Sequence, residues 1–522
     1  MALLEIAAFR PMDSSLPPTH WSRRLGELCS NRRAAYYLWL AIAVAISLLH
    51  LFTNTLGIRH SDMSLDDAGT WGIANRSLAT QLTLPTEFHS QPPLYYVLLH
   101  VLLYFSSAPW FLRGISWTFC WILMLFVLFG WHELDLISRV AFCLFFLGAG
   151  MTPYFASCVR PYGLACLLTV AASVAFLRLA RSPSRRSAVI YGLCATAMLY
   201  TMAFEIAVFM VHGLVVLALV AASLVWLPRK EALPRIRVWL LAMAAVSLAY
   251  LPYLLLAYHY QYQANPKDTL TAVLQLQTYT KTLRGQFAFS TELYVLLSAL
   301  AAVGIVGELL RRNWLVLYWP ILGIGSMAFV WYFIVGRSIL GAQTKYMLPA
   351  MLAACALGAL GLGQLRPIAG RGFWLVAVAA LALVTFLKYP AWAKYVRSGP
   401  DLGTFAALHA ELRTFPGKKV LFSDVGYDGQ RPEYVTRNDP DIVYATRRGR
   451  GWASGGAAEM TNDYVTATIE EWHDQAPCFF YYLFFPQGPY ATAFIPAMTK
   501  LGYQRTRPLP TTSGHPVVGY CR

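Results

Sequence analysis

A multi-spanning α-helical membrane protein with a small α/β unit at its C-terminal end is the fold class this sequence predicts. Three observations carry the expectation. Hydrophobic residues make up 57% of the 522 residues and charged ones 13%, against roughly 45–50% and 25% in an ordinary soluble domain. Apolar runs of membrane length recur between residues 36 and 390. From about Tyr389 onward those runs shorten, and Asp, Arg, Gly and Pro become frequent.

The elements follow in order. Residues 1–35 form a basic, cytoplasmic N-terminal segment with Arg23, Arg24, Arg32 and Arg33 ahead of an apolar run from Tyr36 to Leu56. A secretory signal has a shorter apolar core and a small-residue cleavage site, so this reads as an uncleaved first span with its N-terminus inside. Further membrane-length candidates stand at 111–131, 138–157, 162–180, 188–206, 207–227, 238–257, 291–310, 314–335, 346–364 and 373–389. Counting them gives about eleven spans and places the C-terminus outside. The charge bias agrees, because Arg178, Arg181, Arg185 and Arg186, then Arg229, Lys230, Arg235 and Arg237, then Arg311 and Arg312, then Arg366 and Arg371 all fall on the inner side. Residues 92–108 are apolar too, but a span there would turn every later Arg run outward. The Pro-Pro start and short length suit a membrane-surface or re-entrant helix instead.

Residues 391–522 form the outer α/β unit. Lys418–Ser423 and Cys478–Phe485 read as buried strands, each after a helix-like stretch (401–414 and 464–474), and a last strand near Val517–Tyr520 follows helix-like 489–502. Of nine cysteines, seven are scattered at Cys29 or in spans, where a thiol packs as a small apolar group. Cys478 and Cys521 both lie in the polar section. If that section is outside the cytoplasm a disulfide between them is open, since spacing alone does not set its geometry.

A net charge of +16 would suggest nucleic acid in a soluble protein. Here the basic residues sit in short loops between apolar runs, without an RNA-binding signature or zinc-ligand spacing, so orientation in the bilayer accounts for them and nucleic acid is excluded as a partner.

The chemistry gathers in the first outer loop, 57–91, where Asp62, Asp66 and Asp67 lie beside the bilayer in a chain short of acid. Desolvating carboxylates there is costly, so the cluster marks either hydrated surface or a working site. Ser64 with Asp67 also matches a capping box opening a helix. Adjacent residues point different ways on a helix, so Asp66 and Asp67 cannot face each other across a sugar as a glycosidase pair does.

Four motifs in order resemble the membrane-embedded glycosyltransferases of the GT-C class, in the branch of protein O-mannosyltransferases, lipid A aminoarabinose transferases and lipopolysaccharide-core galacturonosyltransferase-like proteins. They are Leu65-Asp66-Asp67-Ala68 with Thr70, Gln91-Pro92-Pro93-Leu94-Tyr95-Tyr96 with Leu98-Leu99-His100, Arg160-Pro161-Tyr162-Gly163-Leu164, and Lys345-Tyr346-Met347-Leu348-Pro349. Each is weak alone; their order and shared side make them fairly specific, over residues 36–390. The resemblance implies transfer of a sugar from a polyprenyl-phosphate-linked donor to a protein, lipid or polysaccharide acceptor, with inversion, at the outer face of a bacterial inner membrane. It implies Asp66 as catalytic base with Asp67 as its acidic partner, and Arg160, Tyr162, Lys345, Tyr346, Gln91 and Tyr95 as substrate-binding residues.

Two departures stand out. Gln91 replaces a frequent His or Lys, and Cys158 replaces an acid that helps bind metal in relatives, so a divalent metal stays open as a cofactor. Arg160 and Lys345 at span mouths also suit snorkelling to headgroups, and Glu205 and His212 suit ordinary polar span ends. A transporter or flippase of a lipid-linked glycan and a non-catalytic scaffold are the alternatives. Transporters carry charges and breaks near the midplane, whereas here the acids collect in an outer loop.

Overall fold

The computed structural model describes residues 32–59, 65–79, 81–82, 91–262, 291–330, 347–365, 383, 404–423, 439–445, 462–482, 490–506, 509 and 517–522. The helices of the first part are α1 (Arg32–Arg59), α2 (Leu65–Ala74), α3 (Leu94–Leu103), α4 (Pro109–Gly130), α5 (Leu136–Gly148), α6 (Thr152–Ser157), α7 (Tyr162–Arg181) and α8 (Arg185–Leu199). After them come α9 (Ile206–Trp226), α10 (Arg229–Tyr262), α11 (Thr291–Leu310), α12 (Tyr318–Val330) and α13 (Leu348–Leu365).

Among the described residues five helices are long and apolar enough to cross a membrane: α4, α7, α9 with the 3₁₀ turn before it, α10 and α13. Shorter apolar helices lie at Leu40–Asn54, Leu94–Leu103, Leu136–Gly148, Tyr294–Leu310 and Trp314–Phe329. The last expected span, 373–389, lies outside the described residues apart from Leu383. α7 and α13 are buried over most of their length, whereas α9 and α10 present Leu214, Leu217, Leu224, Leu240, Leu248 and Leu255 to the surroundings. Large exposed apolar faces on helices whose backbone is satisfied internally are what a bilayer accepts and water does not.

Two expected spans are interrupted. The run 138–157 is not one helix. α5 begins on Asp135, whose Oδ1 accepts from the backbone N–H of Ile137 and Ser138, and stops at Gly148. α6 then starts with Pro153 in its first turn. Proline has no N–H for a carbonyl one turn earlier, and its ring clashes with that carbonyl, so the helix cannot run through. At the end of α5 the Phe146 carbonyl accepts from the Ala149 N–H and the Thr152 hydroxyl. The run 188–206 also ends early. α8, opened by a Ser184–Ser187 capping box, has 15 residues, about 22 Å at 1.5 Å per residue against a hydrocarbon core of about 30 Å. The turn after it receives the segment Gln91–Leu94: Leu94 donates its N–H to the Tyr200 carbonyl at 2.9 Å, and Ala203 donates to Gln91 Oε1 at 3.3 Å. α3, with 10 residues, measures about 15 Å on the same rise, too short for a span.

At the opposite end of these helices the basic residues are tied down. Arg178 donates Nε to Glu133 Oε1 at 2.5 Å and Nη2 to Oε2 at 2.9 Å. Partial burial works against charge on Glu133, but these hydrogen bonds outweigh it and hold the carboxyl below its ordinary range.

The C-terminal part holds β1 (Lys419–Ser423), β2 (Ile442–Ala445), β3 (Cys478–Tyr482), β4 (Gln504–Arg505) and β5 (Val517–Cys521), with helices α14 (Thr404–Leu412), α15 (Asn462–Trp472) and α16 (Ile495–Lys500). The sheet order is β2-β1-β3-β5-β4. β1 is parallel to β2 and β3, and β5 is antiparallel to β3 and β4. Side chains alternate by face. Val420, Phe422, Phe479, Tyr481, Val518 and Tyr520 pack with α15 and α16, while Leu421, Cys478, Phe480 and Val517 pack with α14. Covering both faces explains why these strands read as unbroken apolar runs. Cys478 and Cys521 stand opposite each other in the β3–β5 register and form a disulfide.

Candidate active site

α2 carries Asp66 and Asp67 in its first turn. Its apolar face, Trp71 and Ala74, is buried with Tyr95 and Leu99 of α3, Leu112 and Ile115 of α4, Val159, and Leu164 of α7. Its last carbonyl, which has no partner within the helix, receives His100 Nδ1 at 2.8 Å and Gln81 Nε2 at 2.8 Å. Packing and capping therefore fix the acidic turn against α3, α4 and the start of α7.

Asp67 is buried in this contact. Its Oδ1 accepts the Val159 backbone N–H at 2.6 Å. Its Oδ2 faces Arg113 Nη2 at 3.4 Å, and the two side chains are 3% and 2% exposed. One turn along α2, Thr70 Oγ1 accepts from Arg160 Nη1 at 3.2 Å. From α4, Ser116 donates to the Arg160 carbonyl at 3.2 Å, and its Oγ lies 3.2 Å from the Tyr95 hydroxyl. The Arg160 guanidinium lies 6.0 Å from the centre of the Tyr162 ring. Gly163 makes the approach of α7 to α4 possible, since a Cβ there would stand 2.6 Å from the Ser116 carbonyl oxygen.

The sequence-derived residues thus separate into three groups. Asp67, Tyr95, Arg160 and Tyr162 come together around α2. Gln91 stands apart from them, its Oε1 accepting from the Ala203 N–H. The Asp66 side chain lies outside the described residues, as do Ser64, the expected cap of α2, and Lys345 and Tyr346. Arg113 and Ser116 were missed, and Thr70 was named within its motif without a role. The available signal for Arg113 was a lone guanidinium opening an apolar span, which must find a counter-charge from another segment.

Glu205 and His212 lie elsewhere. Both are fully buried. Thr169 donates to Glu205 Oε2 at 2.9 Å. His212 holds the Tyr191 hydroxyl at 3.0 Å on Nδ1 and the Tyr318 hydroxyl at 2.8 Å on Nε2, and Tyr318 donates on to Ser173 at 2.6 Å.

The described residues do not compose a divalent-metal donor set. No three His, Cys, Asp or Glu side chains converge among them. The Asp67 oxygens face a guanidinium and an N–H. What the arrangement offers is a carboxylate held by the buried Arg113 and, beside it, the Arg160 guanidinium just ahead of an apolar helix. An arginine so placed suits an anion.

No protein-family model matches the sequence, and no curated protein matches it. Solved structures do. The chain is similar to ArnT from Cupriavidus metallidurans in the apo state, with a TM-score of 0.59 at 13% identity over 93% of this chain and 98% of that one. It is equally similar to ArnT from the same organism bound to undecaprenyl phosphate, with a TM-score of 0.60 at 13% identity over 94% and 98%. The fold of this chain is accordingly that of the GT-C class.

Proposed function

We propose that this protein is a glycosyltransferase that takes a sugar from a polyprenyl-phosphate-linked donor and delivers it to an acceptor hydroxyl outside the cytoplasm. The observation that carries the reading is the Arg160 guanidinium held beside the acidic turn of α2, just ahead of apolar α7. The undecaprenyl phosphate bound by the similarly folded ArnT supports a lipid phosphate as the anion. The disulfide between Cys478 and Cys521 supports an outer location for the α/β unit, residues 391–522, because such bonds persist in oxidising compartments. The N-in, C-out arrangement with about eleven spans over 36–390 remains part of the same proposal.

The donor already carries its leaving group. Asp66 acts as general base: it takes the proton of the acceptor hydroxyl as that oxygen attacks the anomeric carbon. The bond from that carbon to the phosphate oxygen breaks, and the lipid phosphate leaves with the electron pair, its added charge met by Arg160 and Lys345. A single displacement of this kind inverts the anomeric centre. Tyr162 and Tyr346 flank the phosphate. Tyr95 acts through Ser116, which holds the Arg160 backbone.

Asp66→Asn in the full-length membrane protein tests the assignment, with transfer from polyprenyl-phosphate-linked sugars followed. Turnover should fall to background while the protein still extracts and melts as the parent does. Unchanged turnover would remove the base and with it this mechanism.

Glycan translocation is the second reading, favoured by the buried Glu205 and His212 within the helices. His212, however, has both ring nitrogens satisfied by tyrosines within a closed set of helix contacts, which suits a tether more than a transport path.

A further inference from the structure

We infer that Asp67 and Arg113 form a positioning clamp that sets the distance between the acidic turn and Arg160, rather than Asp67 serving as the second member of a catalytic acid pair. The inference rests on the transferase reading for its kinetic consequence but on packing for its existence.

Two helices grip one dipeptide. On α2, Asp67 and Thr70 stand three residues apart on one face, and they take the Val159 N–H and the Arg160 guanidinium. On α4, Arg113 and Ser116 have the same spacing; the first meets Asp67 Oδ2 and the second donates to the Arg160 carbonyl. Val159 and Arg160 are thereby held from both sides, across a sequence separation of 92 residues between Asp67 and Val159. A carboxylate 3% exposed, with one oxygen on a 2.6 Å N–H bond and the other facing a buried guanidinium, is committed to these contacts rather than to a substrate hydroxyl. Its commitment also fixes the neighbouring Asp66 backbone relative to the cation proposed to receive the phosphate. A displacement of about 1 Å between reacting groups costs about 100-fold in rate.

The test compares Asp67→Asn, Asp67→Ala, Arg113→Lys and Arg113→Ala, singly and as the Ala/Ala pair, in the full-length protein in lipid nanodiscs. Lysine keeps the charge on α4, so Arg113→Lys should retain most turnover and provide a folded variant; asparagine keeps an oxygen for the Val159 N–H but leaves Arg113 without its counter-charge, so Asp67→Asn should fall between the parent and the alanine variants. Each alanine variant should lose about 100-fold in kcat with donor KM changed by less than about threefold. The double variant should be no worse than the poorer single one, as expected for two partners in one contact.

Cys158, buried beside Val159, gives a readout independent of turnover. Its alkylation, followed by mass spectrometry of the peptide containing it, should accelerate at least about tenfold when the grip is released. Parent-like kcat in Asp67→Ala, a donor KM that rises with kcat intact, or unchanged Cys158 alkylation in both alanine variants would each overturn the clamp. If Asp66→Asn keeps full turnover while the alanine variants still expose Cys158, the transferase mechanism fails and the clamp stands. If Asp66→Asn is dead and Cys158 stays protected, the clamp fails alone.

Discussion

His212 Nε2 lies 2.8 Å from the Tyr318 hydroxyl, joining α9 to α12 across 106 residues of sequence. Phe176 of α7 stacks on the same imidazole with ring centres 4.3 Å apart, and Tyr318 continues the chain to Ser173. Four helices, α7, α8, α9 and α12, meet at this ring. Replacing Tyr318 by Phe leaves the imidazole nitrogen and the Ser173 hydroxyl without that partner in an apolar interior, which costs about 1–3 kcal/mol. Thermal unfolding in detergent should shift down accordingly, and turnover per folded molecule should stay near the parent value. Loss of turnover without loss of stability would make this ring part of the active site instead.

The disulfide gives a second expectation. Cys478 and Cys521 are 43 residues apart in sequence, and closing a loop of that length constrains the unfolded chain by about 4 kcal/mol in the chain-entropy account. Cys478→Ser should therefore make the region 404–521 markedly more sensitive to limited proteolysis, and reductant should reproduce the effect in the parent. The helices of the first part should be cut at the parent rate in both cases.

Acid should weaken the same region. Asp439 accepts from His409 Nε2 at 2.9 Å and from the Asp441 N–H at 3.0 Å, and Arg413 stands 3.5 Å away. Desolvation disfavours its charge, but the His409 hydrogen bond and the other two contacts outweigh it, so its carboxyl is held below the ordinary aspartate range. A carboxyl with a lowered folded-state pKa stabilises at pH values above its unfolded pKa of about 3.9. That contribution disappears as pH falls through the lower folded value. Asp439→Asn should lose stability at neutral pH, and its unfolding midpoint should respond less to acid below about pH 4 than that of the parent. Parallel pH curves for the two proteins would show that the contact contributes nothing.

How much of this was legible beforehand depends on how local the signal is. The membrane character was written in composition and in runs of apolar residues, and the three longer strands lie inside runs already apolar because both sheet faces are covered. The interruption at Gly148–Pro153 was present as a proline, yet the surrounding hydrophobicity concealed it. β2 and β4 were missed because four and two residues give no alternation to count. The α2 neighbourhood was half legible. Asp67, Thr70, Tyr95, Arg160 and Tyr162 follow from motifs, but Arg113 and Ser116 acquire meaning only when α2 and α4 close on Val159–Arg160. Gln91, read as a ligand for substrate, gives its Oε1 to the Ala203 N–H. Asp66, Lys345 and Tyr346 are still to be placed by experiment.

The sheet order has a consequence for crowding. Among the described residues its two borders are β2 and β4, the shortest strands in it. Few free amides and carbonyls are left there to zip onto a neighbouring molecule. Copies held side by side in one bilayer, unable to diffuse apart in three dimensions, can collide repeatedly without seeding a shared fibre.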